Sequence, residues 1–71
     1  MLKVKAERLR KNWNQTALAF YAGMSVGDIS RIESGRMKPY PLQLEKLSNV
    51  LQVPPDELLK DLSPETERAL A

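Results

Sequence analysis

The chain has 71 residues, which limits it to one small domain with a modest core. It contains neither cysteine nor histidine, which excludes disulfide frameworks, the usual zinc sites, thiol nucleophiles and histidine-based triads. We therefore expect no metal, no cofactor and no enzymatic activity. No apolar run approaches the roughly 20 residues that span a bilayer, and the charged start LKVKAERLR does not resemble a signal peptide. We expect a cytoplasmic protein with no membrane partner.

The net charge of +2 conceals an asymmetry along the chain. Residues 1–40 carry eight basic and three acidic side chains, a net charge of +5, whereas residues 41–71 carry three basic and six acidic ones, a net charge of −3. A basic half suits a polyanion, although runs of charge are most often solvated surface.

The first two predicted elements are helices. An apolar stripe with helical spacing covers residues 2–11 and is interrupted before Asn14, a suitable N-cap for a second helix over residues 15–22. Trp13 and Leu18 occupy the positions of a hydrophobic staple, so we expect Trp13 to pack rather than to bind a ligand.

The next segment predicts two short helices that cross at a tight turn. Ala19 falls where the helices approach, and Gly23 falls where the first must end in a left-handed conformation. Ser25 can cap the following helix, in which Ile29 and Ile32 share one buried face. This pattern indicates a helix-turn-helix, whose second helix enters the DNA major groove, or else a generic helical hairpin.

The remaining elements are also predicted to be helical. The third helix runs from Val26 to Ser34, and a fourth begins at Pro41 and ends before Val53. A fifth begins at Pro55, and a short sixth helix or a frayed tail covers residues 64–70. The sequence therefore predicts an all-α fold.

With these helices placed, the chain resembles the DNA-binding domain of the phage-repressor and Cro family, also called lambda-repressor-like or XRE-type helix-turn-helix domains. The resemblance implies a compact five-helix DNA-binding domain over residues 1–62, followed by a tail or short helix over residues 63–71. It also implies homodimers on palindromic operators. The motifs that carry it, in chain order, are Gln15, Leu18-Ala19, Ala22-Gly23-Met24-Ser25, Ile29-Ser30-Arg31-Ile32-Glu33, Gly35, Pro39, Leu44, Leu47 and Val53-Pro54-Pro55-Asp56-Glu57-Leu58-Leu59.

Candidate base-reading residues lie opposite the two isoleucines of the third helix. They are Val26, Gly27, Ser30 and Arg31. Arg31 is the strongest candidate because a guanidinium can bond guanine bidentately; the alternatives are a phosphate contact or an ion pair with Asp28. Asp28 accepts from cytosine or orients Arg31. Gly27 departs from the family pattern, in which long polar side chains are common at this position.

The resemblance also implies phosphate contacts at Gln15, Arg36 and Lys38, and one structural ion pair. Ser25 and Tyr40 are further candidate phosphate contacts, although Tyr40 stands where the family often has a Ser or Thr that caps helix four. Arg8 and Glu33 match a pair that joins helices one and three in several family members, the alternative being two separate surface charges.

These observations favour a sequence-specific transcriptional regulator of duplex DNA, a repressor or controller that acts as a homodimer. One alternative is an antitoxin that also binds a toxin through the acidic residues 56–71; another is a protein-interaction module that has lost DNA binding. Leu58, Leu62 and Leu70 are candidates for the dimer contact, although Leu58 and Leu59 are better suited to the core.

Overall fold

The computed structural model describes residues 1–62, which contain four α-helices, one turn of 3-10 helix and no β-strand. These four α-helices begin and end close to the predicted positions, and residues 1–62 are all-helical as predicted. No helix in this part of the chain has the length and apolar character needed to cross a membrane. The elements are α1 (Lys3–Arg10), α2 (Gln15–Ala22), α3 (Val26–Glu33), α4 (Pro41–Leu51) and the 3-10 turn (Pro55–Glu57).

Both helix starts around the central turn have the predicted side-chain caps. The Asn14 side chain accepts a hydrogen bond from the Ala17 amide at 2.7 Å, and the Ser25 hydroxyl accepts one from the Asp28 amide at 3.1 Å. Between them, Gly23 ends α2 with φ +66°, a left-handed conformation that glycine adopts without strain. Gly23 and the Ser25 cap therefore set where α2 ends and α3 begins.

The core lies where α2 meets α3 and α4, and residues from α1 and from the segment after α4 complete it. α2 packs against both α3 and α4, and α1 packs against α4. The small side chains of Ala19 and Ala22 let α2 approach α3, where Ile29 and Ile32 are each 1% exposed. The other fully buried apolar side chains are Val4, Leu18, Leu47 and Leu58.

The predicted fifth α-helix is not formed. After the 3-10 turn, the Leu58 carbonyl accepts from the Val4 amide and the Lys60 carbonyl accepts from the Lys3 amide, both at 2.9 Å. The first amides of α1 have no partner inside their own helix. They therefore donate to the carbonyls that would otherwise continue a fifth helix. An isolated antiparallel bridge between Leu2 and Asp61 completes this contact.

The leucines near the chain end separate into different settings. Leu58 is completely buried and Leu59 packs against the core, as predicted for both. Leu58 is therefore not available for a contact between subunits, whereas Leu62 is partly exposed. Three predictions lie outside the described residues. They are the sixth helix over residues 64–70, the dimer contact of Leu70 and most of the acidic segment predicted to bind a toxin.

Candidate nucleic-acid interface

The two sides of α3 have opposite environments. Ile29 and Ile32 anchor the inner side, whereas Val26 on the outer side is 47% exposed and Ser30 and Arg31 are exposed beside it. Gly27 lies on the same outer side and is half-buried. The structure thus brings the four candidate base-reading residues together on one open helical face.

A buried ion pair holds the end of α3 against α1. The Arg8 Nε lies 2.7 Å from Glu33 Oε2, and Arg8 Nη2 lies 3.0 Å from Oε1, so the contact is bidentate. Arg8 Nη1 also donates to the Trp13 carbonyl at 2.7 Å, and the Gln15 amide nitrogen donates to Glu33 Oε1 at 3.1 Å. With side chains only 8% and 2% exposed, Arg8 and Glu33 exchange their hydration for these bonds.

Gln15 therefore has a contact that its predicted phosphate role did not include. Its amide nitrogen carries two hydrogens, and one of them bonds Glu33. The side chain is half-buried at the start of α2, where helix amides favour an anion. The phosphate contact remains a prediction, with Gln15 linked through Glu33 to the buried pair.

A second ion pair lies on the outer face of α3. Arg31 Nη2 donates to Asp28 Oδ1 at 2.7 Å, and the Arg31 side chain remains 55% exposed. A Cβ added to Gly27 would lie 3.5 Å from each terminal nitrogen of Arg31, so the guanidinium lies over the glycine. Arg31 is thus held close to the helix while most of its donors remain open.

Sequence reasoning missed Gln43, which contacts this second pair from α4. Its side-chain nitrogen donates to Asp28 Oδ2 at 3.1 Å, and its oxygen accepts from the Tyr40 amide at 2.9 Å. The second bond caps α4, whose N-cap residue is Tyr40. A glutamine three residues after the N-cap was a sequence signal for this capping bond, but not for the contact with Asp28.

The loop after α3 presents basic side chains. Arg36 and Lys38 are exposed, and neither forms an ion pair with a residue in the range 1–62. The Arg36 amide donates to the Arg31 carbonyl at 2.9 Å, which folds the loop back against the end of α3. Tyr40 follows in the same stretch with 65% of its surface exposed. Both bases and the Tyr40 side chain are therefore accessible next to the outer face of α3.

Ser25 stands at the other end of that face. Its hydroxyl oxygen accepts the capping bond from Asp28, and the residue is exposed. The hydroxyl proton remains able to donate to an anion, so capping and the predicted phosphate contact use different atoms of one group.

An aromatic strip on α2 was not predicted as a surface feature. Tyr21 stacks on Trp13 with ring centroids 4.6 Å apart, and Phe20 meets Tyr21 edge-on at 5.5 Å. Trp13 packs against the core, as the staple interpretation predicts, and Lys11 lies 5.4 Å from its ring centroid. Phe20 is 79% exposed. In the described part of the chain no group of acidic side chains could hold a metal ion.

A short helix with an open outer face, fixed to a supporting helix by a glycine turn, defines a helix-turn-helix DNA-binding domain. A family model described as helix-turn-helix matches residues 4–58, and the chain belongs to this XRE and lambda-repressor-like family. The protein is accordingly a DNA-binding regulator. Comparisons with curated proteins and with solved structures gave no match.

Proposed function

We propose that the chain is a sequence-specific repressor or controller that binds a palindromic operator in duplex DNA as a homodimer. The observation that carries the proposal is the outer face of α3, where Val26, Ser30 and Arg31 are exposed while the inner face is anchored by buried isoleucines.

The outer face offers three kinds of contact with base edges. Arg31 supplies donors for the O6 and N7 atoms of guanine, Val26 an apolar surface for a thymine methyl group, and Ser30 a hydroxyl that can donate or accept. Gly27 contributes no side chain and leaves its outer surface to the Arg31 guanidinium. Together these residues suit a short sequence that contains at least one G·C pair.

The surrounding groups suit the DNA backbone. Arg36 and Lys38 extend from the loop after α3, and Gln15 and Ser25 stand at the starts of α2 and α3 with Tyr40 beyond the loop. Contacts with phosphates set the orientation of the domain and make binding sensitive to salt.

The small size of the proposed reading surface supports a homodimer. α3 has only eight residues, and one short helix contacts only a few base pairs. A two-fold dimer doubles the number of bases contacted and converts two weak half-sites into one operator.

Selection of bound duplexes from a random DNA pool tests this proposal. The expected result is a palindromic consensus with a G·C pair in each half-site, together with sedimentation of two chains per selected duplex. Arg31→Ala is expected to lose preference for that pair, and Arg10→Ala, which removes an equally exposed arginine from α1, is the matched control. Enrichment of no sequence would contradict specific binding, and an asymmetric consensus bound by one chain would contradict the dimer.

A further inference from the structure

Three side chains form a continuous chain of hydrogen bonds from α4 to the outer face of α3. Gln43 donates to Asp28 Oδ2 at 3.1 Å, and Asp28 Oδ1 accepts from Arg31 Nη2 at 2.7 Å. Gln43 is itself fixed because its oxygen accepts from the Tyr40 amide at 2.9 Å. The Tyr40 amide thus restrains Gln43, Gln43 restrains Asp28, and Asp28 restrains Arg31.

We propose that Gln43 is a positioning residue for sequence discrimination: through Asp28 it presents Arg31 to the DNA groove in a fixed orientation. This inference rests on the proposed function and assigns a role to a residue that does not lie on the reading helix. Gln43 acts through Asp28 and Arg31 and makes no base contact of its own.

The environment of Asp28 supports a role in orientation rather than in base reading. Both carboxylate oxygens already accept a hydrogen bond, one from α4 and one from α3 itself. The carboxylate is 27% exposed, which is half the value for Arg31. These two bonds set the direction of each oxygen, so the carboxylate fixes one nitrogen of the guanidinium and leaves the other donors open.

Gly27 supplies the space that this orientation needs. The guanidinium lies at van der Waals distance from the position of a Cβ at residue 27, so a long side chain there would occupy the same volume. Fixing the arginine before binding lowers the entropy lost on contact, and the gain applies only to sequences that match the fixed geometry. The arrangement therefore increases the ratio of operator affinity to random-DNA affinity.

The test exchanges donor and acceptor within the Gln43–Asp28 contact. Gln43→Glu keeps the oxygen that caps α4 but replaces the donor to Asp28 with a second negative oxygen. The double variant Gln43→Glu/Asp28→Asn restores one donor and one acceptor, retains an oxygen for Arg31 and has the net charge of the original chain. The double variant is therefore the matched control for both charge and pairing.

The measurement is the ratio of affinities for the duplex selected by the original chain and for random duplex of equal length, at one salt concentration. Gln43→Glu is expected to lower the ratio by about threefold to tenfold, part of the discrimination given by one bidentate contact. The double variant is expected to return the ratio to within about twofold of the original chain. In an Arg31→Ala background, Gln43→Glu is expected to leave the ratio unchanged, which a merely structural role would not predict.

Three results would overturn the inference. An unchanged or increased ratio in Gln43→Glu would mean that Asp28 does not orient Arg31 or holds it back from DNA. A ratio that the double variant fails to recover would show that the Gln43–Asp28 pairing does not cause the loss, because the double variant restores both that pairing and the net charge. Thermal unfolding of both variants would show whether a folding defect causes it. If the original chain enriches no duplex, the proposed function fails together with this inference; a normal consensus with an insensitive ratio removes this inference alone.

Discussion

Two ion pairs on α3 have the same closest distance and opposite surroundings. Glu33 meets Arg8 at 2.7 Å on the inner side, where the two side chains are 2% and 8% exposed. Asp28 meets Arg31 at 2.7 Å on the outer side, where the side chains are 27% and 55% exposed. The inner pair joins two helices, whereas the outer pair joins residues one turn apart on the same helix.

Because the two ion pairs differ in burial, they have different physical roles although both join an arginine to a carboxylate. The inner pair has given up its hydration, so loss of either partner leaves an uncompensated charge inside the protein. The outer pair remains hydrated, so it contributes little to stability and its arginine can exchange water for base edges at small cost. The first pair holds α3 against α1, and the second holds the arginine that we propose contacts base edges.

The largest expected effect is on the inner pair. Arg8→Met is expected to lower the free energy of unfolding by about 3–5 kcal/mol, because Glu33 is left buried without its cation. Urea denaturation followed by circular dichroism measures it, and the unfolded baseline reveals a variant that no longer folds. The double variant Arg8→Met/Glu33→Leu removes both charges and is expected to recover most of the loss. Equal loss in the single and double variants would contradict the account.

The outer pair is expected to affect binding instead. Arg31→Ala is expected to weaken operator binding by about 1–3 kcal/mol and to weaken random-DNA binding much less. Its free energy of unfolding is expected to change by less than about 0.5 kcal/mol, because the lost pair is solvated. Titration of fluorescent duplexes measures the affinities, with Arg10→Ala as the control for charge. Equal weakening on both duplexes would assign Arg31 to a phosphate.

An exposed lysine in the loop after α3 separates the effect of charge from that of base reading. Lys38→Ala is expected to weaken binding to operator and random DNA alike and to reduce the slope of log affinity against log salt by about one. Lys60→Ala removes the same charge from the chain end, next to Glu57, and is expected to leave the slope unchanged. Equal slopes for Lys38→Ala and the original chain would remove the phosphate role of Lys38.

Substitutions at Gly27, which lies under the Arg31 guanidinium, are expected to have a smaller effect. Gly27→Ala places a methyl group at ordinary contact distance from the guanidinium and is expected to increase the free energy of unfolding by up to about 1 kcal/mol. Gly27→Gln is expected to gain similar helix stability but to displace Arg31 and lose operator preference. Thermal unfolding and the two affinities measure these changes, and equal operator preference in both variants would contradict the proposed use of the space.

A third ion pair, between Lys60 and Glu57 of the 3-10 turn, is expected to have the smallest effect. The hydrogen bond from Lys60 lowers the pKa of the half-buried Glu57 carboxyl below its ordinary value, and the charges of Lys60 and Lys3 lower it further against an opposing effect of desolvation. The resulting small stabilisation is present above the ordinary glutamate pKa and is lost as pH falls through the lowered value. Lys60→Gln is expected to raise the pKa of Glu57, which an NMR titration of its carboxyl carbon detects. No change would show that Lys60 is not the cause.

Local chemistry made the turn between α2 and α3 predictable. The caps at Asn14 and Ser25, the left-handed Gly23 and the buried pair Ile29 and Ile32 each depend on residues within four positions of one another. Such local rules agree with one another here, so spacing alone located the helices and the open face.

Features that depend on distant parts of the chain were harder to predict. The leucines after Pro55 are spaced as in a helix. However, the first amides of α1 have no partner within their own helix, and they donate to the carbonyls that a fifth helix would need, more than fifty residues away. Gln43 was missed because its contact with Asp28 spans 15 positions and arises only when α3 and α4 both pack against α2. The resemblance indicated Arg8 and Glu33, but not the bond from Gln15 to the same carboxylate.

The orientation of α3 on DNA is tested most directly by NMR of the isotope-labelled chain during titration with the selected duplex. We expect the largest amide shifts at Val26, Gly27, Ser30 and Arg31 and smaller ones at Arg36 and Lys38, while residues 55–60 remain nearly unchanged. Shifts concentrated at residues 55–60, with the outer face of α3 unaffected at saturation, would contradict it.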